Sequence, residues 1–405
     1  MKAALIGKVV VSVVVLGFVF SSSAFADTEP PLLHDARSVG MGGSGAAFID
    51  SPAAAFHNPA NIDGTKHYSL MLSATPAFGQ LRAPFDGNPN DNIAPISEKS
   101  SVTVAPIFFL GGSYRIDDRL SLGLAAYTLG GVGGKYKNID ALGGVDWNLA
   151  VALGEISLPI SFRITDKLVL GASFRLGFAI QQSDTPDPTT GTPLKQNTFD
   201  FGAPGVQFGF VYKPIKILRL AATYRSKMKF EPTGDLQTPA GNVDVKTEWY
   251  NPHALRFGTA LSLLDERLLL ALDVKLQFYG ESHNIIPSTY NGAPGPSLVL
   301  NWKDTVTFML GGEYKLTDAF SLRAGYALGT SGVKESTASP FLPTPGLLQA
   351  VTLGAGLDLD PWELGLAAAY NFAGYDVGQA TANGGAPGHY GAKNVFVSLS
   401  GTYRY

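Results

Sequence analysis

Residues of the types that carry metal or covalent chemistry are scattered in this sequence, and one type is missing. The 405 residues include no cysteine, which excludes disulfide bonds, thiolate metal ligands and cysteine nucleophiles. No two histidines have the spacing of metal ligands; the six are His34, His57, His67, His253, His283 and His389. No G-x-S-x-G segment indicates a serine nucleophile. The sequence thus predicts no metal site, no cofactor and no enzymatic activity.

Two segments resemble ligand-binding loops in their residue types alone. Gly40–Gly45 satisfies G-x-G-x-x-G, but dinucleotide binding also requires a preceding strand and a βαβ unit, which are absent here. These glycines instead predict close packing of backbones in a confined space. Asp86–Asp91 offers oxygen ligands for calcium, yet its glycine and proline are wrongly placed for an EF-hand loop. We interpret it as a solvated outer loop, where adventitious binding of a divalent ion stays open.

A third segment, Asn58-Pro59-Ala60, has a definite backbone preference. An asparagine before proline favours an extended or turn conformation, and its amide can bond nearby backbone. A turn in a surface loop is the simplest interpretation of such a pair. Its position, between a Gly- and Ala-rich segment and the first predicted strand, favours a shaped plug instead.

The elements that must position these segments are strands joined by tight turns. Six times, apolar/polar alternation is interrupted by a polar turn of three to five residues and then resumes. Each repeat predicts a hairpin between two long strands, and Gly-, Pro- and Asn-rich stretches separate successive hairpins. The six segments are Tyr114–Leu122, Phe162–Leu170, Tyr212–Leu220, Leu263–Leu270, Tyr314–Leu322 and Leu357–Leu364. Short turns on one side and long loops on the other are typical of bacterial outer-membrane β-barrels.

The number of strands agrees with that architecture. Six hairpins give twelve strands, Tyr68–Phe78 adds one before them, and Lys393–Tyr405 adds one after them. An even number is usual for bacterial single-chain barrels, and closure leaves no strand edge unpaired in lipid. We therefore predict an all-β fold: a transmembrane antiparallel β-barrel of 14 strands over residues 67–405. Residues 27–66 lack the alternation and would form an N-terminal hatch, or plug, inside the lumen.

The alternation also predicts which side chains face lipid. In the last strand Val395, Val397 and Leu399 share one face, whereas Ser398 and Ser400 lie on the other. An apolar outer face and a polar inner face are typical of barrels. A soluble β-sandwich has the same period and is the alternative at this point.

The first 26 residues predict export. Lys2 and Lys8 precede an apolar stretch from Val9 to Phe20, and Ala24–Ala26 forms an A-x-A cleavage site. The apolar stretch is too short for a transmembrane anchor, which is the alternative. The formal net charge of the chain is −3, and no cluster of basic residues indicates nucleic-acid binding. With the aromatic C-terminal residue Tyr405, these features predict the bacterial outer membrane as the location.

Several segments, in order and spacing, resemble the FadL/TodX family of outer-membrane transporters for long-chain fatty acids and other hydrophobic compounds. The likeness covers most of the chain after residue 26. Its most specific parts are Ala36–Gly45 followed by Asn58-Pro59-Ala60, then Thr223–Asp235, Asn301–Asp304, Gly311–Tyr314 and Leu322–Tyr326.

The resemblance implies a mechanism in which outer loops capture an apolar ligand and pass it to a lumenal pocket. A hatch rearrangement and an opening at a kinked strand then release it through the barrel wall. The implied hatch and gating residues are Gly40, Gly42, Gly43, Asn58, Pro59 and Ala60. The kinked strand would be the third, Leu120–Leu129, running into Gly130, Gly131, Gly133 and Gly134. The alternative is that these four glycines form an outer loop.

Arginines in the inward phase of the strands could bind the carboxylate of a fatty acid. They are Arg163, Arg175, Arg219, Arg225, Arg323 and Arg404. For any one of them, an ion pair with aspartate or glutamate in the lumen is the favoured interpretation. Arg175 and Arg225 are the two candidates for binding a ligand headgroup.

Three functions follow from different classes of protein. The favoured one is passive, ligand-gated uptake of fatty acids or other hydrophobic small molecules by a monomer that contacts outer-membrane lipid and lipopolysaccharide. The second is a structural role, as a scaffold for secretion or surface anchoring. The third, an outer-membrane acyl hydrolase, would require a serine and a histidine within hydrogen-bond reach.

Overall fold

A computed structural model describes residues 32, 34–64, 67–85, 97–187, 191–282, 284–383 and 385–405. Three predictions lie wholly or partly outside these residues: the signal peptide over 1–26, the beginning of the hatch at 27–31, and the acidic segment 86–91. Within the described residues, no helix is long and apolar enough to cross a membrane.

Strands dominate the chain, because most of it alternates apolar and polar side chains. In chain order they are β1 (Tyr68–Ala74), β2 (Ala77–Pro84), β3 (Ser97–Lys99), β4 (Thr103–Ala105), β5 (Phe108–Arg115), β6 (Leu120–Ile139), β7 (Val145–Thr165), β8 (Leu168–Pro186), β9 (Pro193–Phe201), β10 (Gly205–Ile215), β11 (Leu218–Arg225), β12 (Met228–Phe230), β13 (Thr233–Thr238), β14 (Gly241–Thr247), β15 (Trp249–Asn251), β16 (Ala254–Leu263), β17 (Leu268–Gln277), β18 (Ile285–Ile286), β19 (Ser288–Tyr290), β20 (Ala293–Pro294), β21 (Leu298–Val299), β22 (Thr305–Lys315), β23 (Phe320–Thr330), β24 (Leu347–Leu359), β25 (Trp362–Val377) and β26 (Gly388–Arg404).

These segments form one closed antiparallel barrel of 14 strands, as predicted. Some barrel strands consist of several segments; the first is made of β1 and β2, and the second of β3, β4 and β5. Closure comes from β26, which pairs with β1 from Ser69↔Arg404 to Ala74↔Leu399 and continues along β2. All six predicted hairpins are present, for example β5–β6 and β22–β23. The wall therefore has no unpaired edge between its first and last strands.

Burial alternates along the strands as the sequence predicts. In β26, Val395 and Leu399 are exposed on the outer face, whereas Ser398 and Thr402 are buried on the inner face. An exposed apolar outer face over a full ring of strands is the pattern of a lipid-facing barrel rather than of a soluble sandwich. Aromatic side chains cluster at the end with tight turns, where the ring of Tyr68 stacks on that of Tyr405 at 5.0 Å between centroids.

Short helices fill the lumen ahead of the first strand. They are α1 (Ala36–Gly40), α2 (Ala54–His57) and a 3₁₀ helix (Pro59–Gly64). Helix α1 packs on β23 to β26, whereas the 3₁₀ helix packs on β6, β7, β8 and β10 on another part of the wall. Almost every side chain from 34 to 63 is buried. We call residues 35–64 the hatch body, and the two described residues that precede it, Leu32 and His34, the arm.

The strands on the loop side run further than the sequence indicated. Gly130, Gly131, Gly133 and Gly134 lie within β6, which continues to Ile139 and pairs with β7 along this length. The alternative that these glycines form an outer loop is therefore wrong. Pairing with a neighbouring strand stabilises an extended backbone that glycine by itself does not favour.

Candidate functional site

The hatch rests on glycines of the barrel wall, because only a residue without a side chain lets two backbones approach this closely. A Cβ atom on Gly325 would lie 2.2 Å from the nitrogen of Gly42, and one on Gly311 would lie 2.5 Å from the oxygen of Met41. On the 3₁₀ helix side, a Cβ on Gly171 would lie 2.2 Å from the nitrogen of Ala60. The hatch is thus packed directly against wall backbone on several strands.

The predicted hatch residues occupy these contacts. Gly42 has φ +69° and Gly43 has φ +85°, a conformation that favours glycine. Gly40 meets Gly354 of β24, and its carbonyl accepts a bond from the hydroxyl of Thr352 at 3.0 Å. This part of the hatch therefore contacts the wall mainly through its backbone atoms.

Asn58, Pro59 and Ala60 form the second anchor. The Asn58 amide nitrogen donates to the carbonyl of Ala46 at 2.9 Å and to that of Phe210 in β10 at 3.1 Å. Its side-chain oxygen accepts from the backbone nitrogen of Ala60 at 3.1 Å. One asparagine thus ties together two parts of the hatch and the wall, which explains an asparagine at this position better than turn propensity does.

Ion pairs hold the turn-side surface of the hatch. Arg37 of α1 makes two bonds to the carboxylate of Glu313, at 3.0 and 2.8 Å, and Glu313 also binds Arg323 at 2.6 Å. Asp50 of the hatch lies 3.2 Å from Arg404 of the last strand. Bidentate pairs between arginine and carboxylate fix orientation as well as charge.

Arg175 and Arg225, the two candidates for a ligand headgroup, both bind Glu155. Arg175 donates to the two carboxylate oxygens at 3.0 and 2.7 Å, and Arg225 donates at 2.9 Å. Tyr127 donates its hydroxyl to the same carboxylate. Arg175 and Glu155 are fully buried. An acidic ligand would reach these guanidinium groups only by replacing Glu155.

Other arginines on the inner face of the wall are also paired with carboxylates. Arg163 pairs with Asp63 at 2.7 Å. Arg256 pairs with Asp273, whose carboxylate also accepts from the backbone nitrogens of Gly45 and Ala46 at 2.9 Å each. Burial, together with the positive charge of Arg256, holds the pKa of His57 in the hatch well below its usual value. Charges of the wall thus serve mainly to bind each other and the hatch.

The barrel wall has a break in its ladder of strand pairs between the second and third barrel strands. β6 pairs with β5 from Arg115↔Ser121 up to Phe109↔Tyr127, where the described pairing on that side ends. Beyond this point β4 pairs with β2, and the strand pairing of β6 continues with β7, with a register shift between Thr128 and Gly130. On the other side of β6, single hydrogen bonds such as that from the Ser101 nitrogen to the Lys135 carbonyl replace the ladder. A bulge bends its strand. The register shift directly precedes the four predicted glycines, and we call this region the wall break.

An apolar cavity of about 240 Å³ lies on the loop side of the hatch. Its side chains come from β7, from inward-folded outer segments and from the glycine stretch of β6; they include Val151, Leu153, Trp249, Leu298, Leu300 and Trp302. Among the described residues that line it, none is charged. Gly131 and Val132 also line it, so the cavity adjoins the wall break. A cavity of this kind is suited to an uncharged apolar ligand.

A family model described as outer membrane protein transport protein (OMPP1/FadL/TodX) matches residues 18–405 of the chain. The chain belongs to the FadL/TodX family. Members are outer-membrane transport proteins, so this FadL/TodX protein is a transport protein of the bacterial outer membrane and not an enzyme.

Solved structures similar to this FadL/TodX protein have the same fold. A Pseudomonas aeruginosa FadL homologue superposes with a TM-score of 0.74 at 18% identity, covering 96% of this chain and 99% of that one. The P. putida toluene transporter TodX gives 0.74 at 17%, covering 92% and 99%. The Ralstonia pickettii toluene transporter TbuX gives 0.70 at 18%, covering 92% and 99%. No curated protein sequence matches the chain.

Two functional features were not found from the sequence. Glu155, which joins both candidate arginines, lies in an ordinary alternating strand, and only its position on the inward face distinguishes it. The cavity is lined largely by residues from the stretches between successive predicted hairpins, including Trp249, Leu298 and Trp302. Two tryptophans in stretches otherwise rich in turn-forming residues were the available signal, since tryptophan usually needs an apolar environment.

Proposed function

We propose that this protein carries out downhill uptake of hydrophobic small molecules, which bind in the apolar cavity and leave sideways through the wall break. The 240 Å³ cavity carries the proposal, because it offers apolar contact where a water-filled pore would offer none. Its position beside β6 supports a path from the cavity to the break. The hatch is anchored to the wall at several points, so a route through the wall avoids moving all of its anchors.

The ligand that fits best is an uncharged compound of the size of a substituted aromatic ring. An apolar cavity of about 150 Å³ is enough to bind benzene, and this one is larger. The described lining has no cation for a carboxylate, and the guanidinium groups of Arg175 and Arg225 are bound to Glu155. Two structural neighbours are toluene transporters by name, which agrees with this choice. A long-chain fatty acid is the competing ligand.

A charge placed in the cavity will weaken ligand binding. We expect Leu298→Asp to weaken binding of toluene by about tenfold or more, because a carboxylate in an apolar site must be desolvated. Leu264→Asp is the matched control, since Leu264 is exposed in a turn at the opposite end of the barrel. Binding is measured by mass spectrometry of organic extracts from purified protein equilibrated with toluene or with a fatty acid. Equal binding by both variants, or a native protein that retains neither compound, would refute cavity binding and favour the scaffold function.

A disulfide across the wall break will block uptake. Ser101 donates its backbone nitrogen to the carbonyl of Lys135 at 2.7 Å, so the two residues face each other across the break, and the chain has no cysteine of its own. We expect Ser101→Cys/Lys135→Cys to stop toluene uptake when oxidised and to recover it on reduction. The control is Ser73→Cys/Ser400→Cys, a directly opposed pair in a continuous part of the wall. Normal uptake by the oxidised test variant would exclude release through this break.

A further inference from the structure

The arm of the hatch reaches the wall break through one side chain. The Nε2 of His34 lies 2.5 Å from the carbonyl oxygen of Thr128, the last β6 residue before the bulge. The hydroxyl of Thr128 accepts a bond from the backbone nitrogen of Phe108 at 3.2 Å, across the same break. Thr128 thus bonds to the second barrel strand through its side chain and to the hatch through its backbone carbonyl.

The imidazole is enclosed by aromatic rings. Its centroid lies 4.4 Å from that of Phe56 and 5.0 Å from that of Tyr127, both in edge-to-face geometry. Because a carbonyl only accepts, Nε2 carries the proton, and Nδ1 is buried without a hydrogen-bond partner. Burial lowers the pKa of His34 to about 3. The ring is therefore neutral and has one hydrogen bond, to Thr128.

The backbone conformation and the number of contacts with the wall change immediately after His34. Asp35 has φ +69°, a conformation that is uncommon for a residue other than glycine. From Ala36 onward the hatch body is held by the wall glycines, by Asn58 and by the bidentate pair of Arg37 with Glu313. The contact of His34 with the wall involves far fewer bonds than those of the body. The hydrogen bond to Thr128 can therefore break while the contacts between the body and the wall stay in place.

We propose that His34 is a latch that holds the wall break closed, and that ligand passage from the cavity requires its release from Thr128. This inference rests on the proposed release through the break and names the residue that regulates it. Tyr127 joins the latch to Glu155 through its hydroxyl, and Gly131 joins the break to the cavity. Thr128 and Gly131 lie three positions apart on β6, so the latch contact is close to the point where the cavity adjoins the break. His34 is a positioning residue: it acts on the backbone of β6 and not on the ligand.

Two substitutions separate the hydrogen bond from the packing of the ring. His34→Phe keeps an aromatic ring beside Phe56 and Tyr127 but removes the donor. His34→Gln keeps an N–H donor on a side chain of similar reach. We expect His34→Phe to raise the initial rate of toluene uptake about two- to tenfold, the range that corresponds to loss of one hydrogen bond. His34→Gln should stay near the native rate, and toluene binding in the cavity should be unchanged in both variants.

A second measurement reports the break itself. Amide hydrogen exchange at Ser101 and Phe108, which both donate across the break, should be faster in His34→Phe and near native in His34→Gln. If His34→Phe does not fold, His34→Ala takes its place in both measurements. Native exchange and native uptake in the donor-free variants would overturn the latch. If in addition the oxidised Ser101/Lys135 disulfide blocks uptake, only the latch fails; if that disulfide has no effect, the release route fails with it.

Discussion

Replacing Glu155 with glutamine will lower the free energy of unfolding by about 3–5 kcal/mol, because it leaves two buried guanidinium groups without their counter-charge. Arg175 and Glu155 are fully buried, and Arg225 is nearly so. Glutamine also places an NH2 donor where one of the two carboxylate oxygens accepts from Tyr127 or from the arginines. Unfolding by denaturant in lipid vesicles, followed by tryptophan fluorescence, gives the difference.

The control for this prediction removes all the charges together. A variant with Glu155→Gln, Arg175→Met and Arg225→Met has no uncompensated charge, and replacement of a whole buried ionic cluster is often neutral or stabilising. We expect it to be closer to the native protein than the single variant. If the triple variant is at least as unstable as Glu155→Gln, lost packing and not charge is the cause. If Glu155→Gln is as stable as the native protein, the cluster does not contribute to stability.

Substitution of Gly311 by alanine will force the hatch away from the wall. Its Cβ would lie 2.5 Å from the carbonyl oxygen of Met41 and 2.6 Å from the Met41 Cβ, distances that backbone shifts must relieve at a cost of about 1–3 kcal/mol. The neighbouring Gly312 offers a matched control on the same strand. A Cβ there meets nothing closer than a Leu270 methyl at 3.5 Å, so Gly312→Ala should change stability by less than about 0.5 kcal/mol.

Limited proteolysis distinguishes a displaced hatch from a generally weakened barrel. In Gly311→Ala we expect cleavage within residues 34–64 at protease concentrations that leave the native protein and Gly312→Ala intact, while the barrel stays resistant. Equal resistance of the two alanine variants would show that the hatch does not depend on this contact.

The sequence was sufficient to predict the architecture of the barrel wall. The number of strands and the side that each residue faces depend on residues close together in the chain. They can therefore be predicted from an alternation with a period of two that is interrupted six times by short polar turns such as Asp117–Arg119. The lengths of the strands were predicted less well, because some strands are longer than the sequence indicated. The glycines of β6 have low strand propensity by themselves, and pairing with β7 overrides that preference.

The interior could be predicted only in part, because it depends on contacts between residues far apart in the sequence. Inward arginines were recognisable from the phase of the strands, but the partner that makes Arg175 and Arg225 one cluster is Glu155 on a different strand. Likewise, nothing in the residues around His34 indicates Thr128, which lies 94 positions later. The lack of alternation over residues 27–66 indicated the hatch and the family resemblance indicated a kinked strand, whereas the contacts that hold the hatch came from the structure.

The glycine contacts also constrain the order of assembly. The hatch precedes the barrel strands in the chain. It nevertheless packs on glycines of strands that come much later in the sequence, namely Gly171, Gly311, Gly325 and Gly354. Its binding surface does not exist until these distant strands are aligned in register. The segment that is translated first therefore docks last, and the closing barrel must keep room for its own N-terminal part. Barrel insertion in the membrane and filling of the lumen are thus coupled steps of one folding reaction.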